Sequence, residues 1–317
     1  MIKPINGTWF EFQHHSTIEG KYWNDQCKSF TTEQWMDKVR EISKTGMEYI
    51  VLLASALDFR TYFESDVFPR ADLVCKDPIE AVLTAADEQG MKVFISAGFY
   101  GNWMETLTNM TSPEVTSKAF RAMEQLLELY GHHNSFYGWY LPDEISIEGS
   151  FPDIFISYIN KYSRFIRSYS KNQKVLIAPY GTRLVKADSR YIKQLEAMDV
   201  DFIAYQDEIG VQKTLTHESA AFYEALKKAH DAAGRAALWA DVEIFEFEDK
   251  VYQSALYPAD FSRIKLQLEA VSPYVEKILI YQYQGMMNKP LSKAFAGRSD
   301  SEKLYSDYMN WKKSYFK

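Results

Sequence analysis

The chain has 317 residues, 46% of them hydrophobic and 25% charged, with a net charge of −7. That is enough apolar material for one large core, and the acidic balance argues against a nucleic-acid partner. No apolar run approaches the roughly 20 residues a membrane helix needs, and "MIKPINGTWFEFQ" carries no basic segment followed by an apolar stretch, so a cytoplasmic protein is expected.

"GTWFEFQ" (7–13) alternates and reads as a strand. "TTEQWMDKVREISKTG" follows as a helix, with Trp35, Val39 and Ile42 at helical spacing and Gly46 as its stop. "YIVLLAS" (49–55) is a buried strand. "DPIEAVLTAADEQG" is a well-marked helix: Asp77 as N-cap, Pro78 in the first turn, Glu80 closing a capping box and Gly90 as terminator. "KVFISAG" is the third strand, and "SPEVTSKAFRAMEQLLELYG" is its helix. "FYGWYL" is the fourth strand, followed by a helix within 151–169. "KVLIAPY" is the fifth, with a short helix near 190–198. "DFIAYQ" precedes "HESAAFYEALKKAHDAAG", "AALWADV" precedes "PADFSRIKLQLEAV", and "KILIYQY" precedes a closing helix over 301–315.

Eight strand–helix pairs imply parallel strands joined by helical crossovers. The expected fold is α/β, a single (β/α)8 TIM barrel domain over 1–317. An open doubly wound sheet would carry a glycine-rich nucleotide turn after its first strand, and that turn here is "FQHHSTIEG". Cys27 and Cys75 fit no metal or redox spacing and are expected as reduced thiols.

In such a barrel the active site is built where the strands end. The strand ends carry Glu11, Gln13, His14 and His15; Asp58 and Arg60; Tyr100, Asn102 and Trp103; Asp143 and Glu144; Tyr180 and Arg183; Gln206, Asp207 and Glu208; Asp241 and Glu243; and Tyr281 through Gln284. The loops at the opposite ends hold ordinary turn residues. Alternation puts Trp239, Asp241 and Glu243 inside the barrel and Leu238, Ala240 and Val242 outside. In the first strand it puts Trp9, Glu11 and Gln13 inside. The sixth strand does not reveal whether Gln206 or Tyr205 faces inward.

Buried carboxylates are costly unless paired or used. Glu144 and Glu243 lie across the barrel mouth, as the two catalytic carboxyls of a glycosidase must. The 22 Tyr, 20 Phe and 7 Trp suit stacking on sugar rings, which makes a carbohydrate the expected partner. Candidate substrate-binding residues are Glu11, Gln13, His14, Trp103, Asp143, Arg183, Gln206, Glu208, Asp241, Tyr281 and Gln282. Adjacent residues on an extended chain point apart, so His14 and His15 are not expected to share an ion with Glu208 and Glu243. No metal and no cofactor is expected.

The placement of Glu144 and Glu243 resembles clan A of the glycoside hydrolases. The resemblance implies retention of configuration, with Glu144 as acid/base and Glu243 as nucleophile. In that clan an Asn that contacts the sugar 2-hydroxyl usually precedes the first glutamate; Asp143 stands there in this chain. A fuller resemblance rests on "GTWFEFQHHSTIEGKYWN", "FYGWYLPDE", "IAPYGTR", "IAYQDEIGVQK", "LWADVEIFEFE" and "ILIYQYQGMMNKP". These look like a bacterial TIM-barrel family known as a domain of unknown function, DUF4434, and imply a glycosidase-like protein. Two alternatives stay open. One is a non-catalytic carbohydrate-binding barrel whose glutamates pair with cations such as Arg183. The other is a metal-dependent sugar isomerase or lyase.

Overall fold

The computed structural model describes residues 1–316. Eight short runs rich in branched and aromatic residues form strands: β1 (Gly7–Phe10), β2 (Tyr49–Leu52), β3 (Lys92–Ser96), β4 (Phe136–Tyr140), β5 (Lys174–Ile177), β6 (Phe202–Gln206), β7 (Ala237–Glu243) and β8 (Ile278–Tyr281). Each pairs in parallel with the next, and β8 returns to β1 with Leu279 opposite Gly7. The result is a closed TIM barrel.

Parallel neighbours need a crossover, and helices supply it. They are α1 (Thr32–Lys44), α2 (Pro78–Gln89), α3 (Pro113–Tyr130), α4 (Asp153–Tyr169), α5 (Ser189–Ala197), α6 (Thr216–Ala233), α7 (Phe261–Val271) and α8 (Asp300–Tyr315). The Asp77 carboxylate accepts the Glu80 N–H at 2.9 Å, and α2 ends at Gly90 with φ +65°. The reciprocal half of the expected capping box is not made: the Glu80 carboxylate turns to Thr84 and His133 instead. Thr31 and Gln34 do form a full box at the start of α1.

Strand alternation divides the core in two. Phe10, Leu238 and Val242 pack outward in the layer shared with the helices. Trp9, Phe94, Tyr140 and Trp239 fill the barrel bore. There Phe202 stacks on Trp239 at 4.3 Å, and Tyr49 and Phe94 meet the same indole edge-on. Each such buried ring contributes roughly 1.5–3 kcal/mol, so the bore below the mouth is a solid aromatic floor. Tyr205 faces the helices, its hydroxyl between Tyr191 and His230, which leaves Gln206 pointing inward.

Two departures from the sequence reading matter for the mouth. β1 stops at Phe10, three residues before its expected end, and the chain then leaves the sheet. Beyond β7 an antiparallel hairpin, Phe245–Phe247 with Leu256–Pro258, rises beside the barrel opening. Both cysteines are buried free thiols. No helix among the described residues is long and apolar enough to cross a membrane.

Candidate active site

A cavity of about 350 Å³ opens at the C-terminal ends of the strands. Its polar lining includes Glu144, Gln206, Glu208, Asp241 and Glu243, and its aromatic walls include Trp103, Tyr180, Tyr252 and Tyr281. The β7 hairpin forms one wall through Phe245, Phe247 and Leu256.

Glu144 follows β4 after Leu141, Pro142 and Asp143. Its Oε1 accepts the Tyr140 hydroxyl at 2.8 Å and its Oε2 accepts the Gln206 side-chain amide at 2.7 Å. Burial pushes its pKa up to about 7, although both of those bonds favour the ionised form. Such a carboxyl can hold and release a proton near neutrality.

Glu243 ends β7 and is buried. Its Oε2 accepts the Val211 N–H at 2.8 Å. That approach depends on Gly210, where an added Cβ would lie 2.9 Å from the Phe245 carbonyl oxygen and 3.0 Å from the Glu243 Cβ. The backbone of Glu243 is clamped from behind. Its N–H donates to Asp207, and its carbonyl accepts from Arg263 at 2.7 Å and from Gln267 at 2.9 Å. Gln267 also donates to the other Asp207 oxygen at 2.7 Å. Burial and the Asp207 charge raise the Glu243 pKa, while the Val211 bond and the Arg263 charge oppose them.

Asp241 faces the cavity from the same side of β7. Burial, then the charges of Glu243, Asp207 and Glu144, push its pKa well above the carboxylate range. Its Oδ1 has no hydrogen-bond partner. Burial and these neighbouring charges favour the protonated form of Asp241, and a proton there lessens repulsion on Glu243. Glu208, at the end of the β6 turn, adopts φ +54°, an uncommon conformation for a side-chain-bearing residue. Its Oε2 accepts the Gly181 N–H at 3.0 Å, and Lys213 stands 3.7 Å from its other oxygen.

The structure thus brings Glu144, Glu243, Trp103, Gln206, Glu208, Asp241 and Tyr281 to one cavity. The remaining candidates lie elsewhere. Glu11 is buried behind the wall, where its Oε1 accepts Trp23 at 2.8 Å and Gln282 at 2.6 Å. Gln282 is therefore committed to Glu11 through its amide nitrogen. Asp143 turns away from the cavity to Asn109 at 2.8 Å and Tyr158 at 3.3 Å. Arg183 is exposed and acts on Glu208 only through its charge. Gln13 lines a different groove with Asp58 and Arg60, because β1 has already ended and its alternation no longer applies.

His14 is wholly buried. The expectation that His14 and His15 diverge fails for the same reason as Gln13: off the sheet, their rings stack 4.3 Å apart at 25°. Burial pushes both imidazoles down to about 3, so both are neutral at neutral pH. His15 and Glu19 line the cavity, and the Trp103 ring lies 4.4 Å from His15.

Sequence reasoning missed Glu19, Lys213, Tyr252 and the hairpin aromatics, which lie beyond the strand ends it inspected. It also missed Arg263 and Gln267. The one hint was Gln267 itself, a polar residue within the apolar stripe Ile264, Leu268 and Val271 of α7.

A family model described as a domain of unknown function, DUF4434, matches residues 5–294. No curated protein matches the chain. Among solved structures, it is similar to a protein from Bacteroides thetaiotaomicron described as a candidate α-L-fucosidase, with TM-score 0.76 at 18% identity, covering 98% of this chain and 93% of that one. It is also similar to an endo-1,4-β-mannanase from Rhizomucor miehei, with TM-score 0.60 at 13% identity and coverage of 98% and 95%. A xylanase from Cellvibrio japonicus gives TM-score 0.56 at 9% identity, with coverage of 97% and 96%. At these identities the likeness establishes the shared barrel.

Proposed function

The chain belongs to the DUF4434 family, and for this member we propose a retaining glycoside hydrolase with Glu144 as acid/base and Glu243 as nucleophile. The observation that carries the proposal is the convergence of two glutamates, from the ends of β4 and β7, on one aromatic-walled cavity. The similar structures bear the names of a fucosidase, a mannanase and a xylanase, all glycoside hydrolases, which supports the reading.

In the first step a Glu243 carboxylate oxygen attacks the anomeric carbon. The glycosidic C–O bond breaks, and the leaving oxygen takes the Glu144 proton. In the second step Glu144, now ionised, takes a proton from water. The water oxygen bonds to the anomeric carbon and releases Glu243 as a carboxylate. A Glu144 pKa of about 7 suits a group that must both give and take a proton. Glu243 must attack in its ionised form. The Val211 N–H and the Arg263 charge favour that form, against the burial and the Asp207 charge that oppose it. Trp103, Tyr180, Tyr252 and Tyr281 offer ring faces for a sugar.

The test is a panel of aryl glycosides and polysaccharides given to the wild type, Glu243→Gln and Glu144→Gln. Glu243→Gln should lose turnover by at least about 10³-fold while still binding sugar. Glu144→Gln should lose most on substrates with poor leaving groups, and little on activated aryl glycosides, which need little protonation. Proton NMR of the first-formed product should show the anomeric configuration of the substrate. Sugar binding without hydrolysis by the wild type would instead make the barrel a carbohydrate-binding protein.

A further inference from the structure

Beside the two glutamates, the segment that follows β1 gathers a second set of groups. Glu11, His14 and His15 each offer a donor atom, and the three atoms lie within 4.8 Å of one another. His14 is fully buried, yet its Nε2 has no hydrogen-bond partner. Glu19 Oε2 stands 3.9 Å from that nitrogen. His14 Nδ1 lies 3.1 Å from the Ser16 carbonyl oxygen and accepts the Ser16 N–H at 3.0 Å, so Nδ1 is satisfied within its own turn while Nε2 is left without a partner. Glu11 has one oxygen occupied by Trp23 and Gln282, while Oε2 meets only the Tyr281 hydroxyl at 3.5 Å. A buried ring nitrogen without a partner, beside carboxylate oxygens with spare capacity, is costly as it stands and favourable once a cation takes the place of any proton on it and bridges them.

We propose that Glu11, His14 and His15, completed by Glu19, bind one divalent transition-metal cation, with zinc the best match. The two imidazoles are borderline ligands, and with carboxylate oxygens beside them they suit zinc better than magnesium or calcium, which prefer oxygen alone. With metal–ligand distances of about 2.0–2.2 Å, one ion spans the His14–Glu19 gap after a contraction of a few tenths of an ångström. The Ser16 carbonyl behind Nδ1 is the orienting partner that ligating histidines usually have. His15 and Glu19 also line the cavity, so the ion would sit in its wall, with its charge set against the acidic excess of the mouth. The proposal does not depend on the hydrolase reading.

The test strips the full chain with a chelator, dialyses it, and titrates it with zinc by calorimetry and with cobalt by visible absorption. One equivalent of zinc is expected, and cobalt should show ligand-field bands of low coordination number. His15→Ala and Glu19→Gln, at partly exposed positions, should each weaken zinc about 10–100-fold or more. His14→Ala should abolish binding. Should that variant fail to fold by circular dichroism, His15→Ala decides. Glu80, His132 and His133 form another donor cluster, so His132→Ala serves as the control and should leave the stoichiometry at one. Less than stoichiometric binding by the wild type overturns the proposal. So does zinc that survives His15→Ala and Glu19→Gln, or that is lost in His132→Ala.

Discussion

At the scale of single residues, the bond between Tyr140 and Glu144 sets the behaviour of the proposed acid. The hydroxyl donates to Glu144 Oε1 and favours the ionised carboxylate. With a pKa of about 7, the loss of the Glu144 proton should draw kcat/KM down on the alkaline side of neutrality. Tyr140→Phe removes the donor without adding bulk, so the Glu144 pKa rises. The falling limb of the pH–rate profile should then move to higher pH, and a limb that stays put or moves to lower pH argues against Glu144 as the acid. Gln206 works the same way on the other oxygen. Its inward orientation was illegible in the sequence because "DFIAYQ" is apolar on both faces. Only the bonding of Tyr205 to Tyr191 and His230, supplied by the helices that flank β6, decides it.

At the scale of elements, β7 and α7 act together. Gln267 and Arg263 reach from α7 to the Glu243 carbonyl, and Gln267 holds Asp207, which in turn holds the Glu243 N–H. Gln267→Met keeps the volume but releases the clamp. It should lower kcat by about 10–100-fold through misplacement of Glu243, with KM little changed. It should also destabilise the fold by about 1–3 kcal/mol, because Asp207 loses a buried partner. A proportional rise in KM, with kcat intact, would mean that the clamp serves binding instead. The barrel strands and helices themselves were readable, since hydrophobic period and caps such as Asp77 and Gly90 mark them. The hairpin Phe245–Phe247 with Leu256–Pro258 was not, because three-residue strands are too short to show a period. The early end of β1 was equally hidden: "GTWFEFQ" alternates straight through it, but the ladder to β2 stops at the Phe10–Leu52 pair. That one misjudged boundary misplaced Gln13 and separated two histidines that the structure stacks.

At the scale of the whole molecule, the mouth gathers more carboxyls than its cations neutralise. Glu144, Asp207, Glu208, Asp241 and Glu243 all have raised pKa values, with burial the first cause in each case. Below the unfolded carboxyl range of about 4 both states are protonated, and these groups cost little. As pH climbs, the unfolded chain releases its protons while the native site still holds them, so stability falls until pH passes the raised native values, about 7 for Glu144. The melting temperature should therefore be higher near pH 5 than near pH 8. Asp241→Asn should raise it at pH 8, by about 2–4 °C per kcal/mol recovered, and flatten the slope. A variant that melts lower at pH 8 would show that Asp241 makes a stabilising bond in its charged form. The aromatic floor under these carboxyls has a different consequence. Phe202, Trp239, Phe94 and Tyr49 pack across the bore below the mouth, so no passage runs along its axis among the described residues. Whatever reaches Glu144 arrives and departs through the mouth that Trp103 and Tyr252 line. No polymer can thread along the barrel axis, and the departing fragment and the next arrival must take turns in one passage.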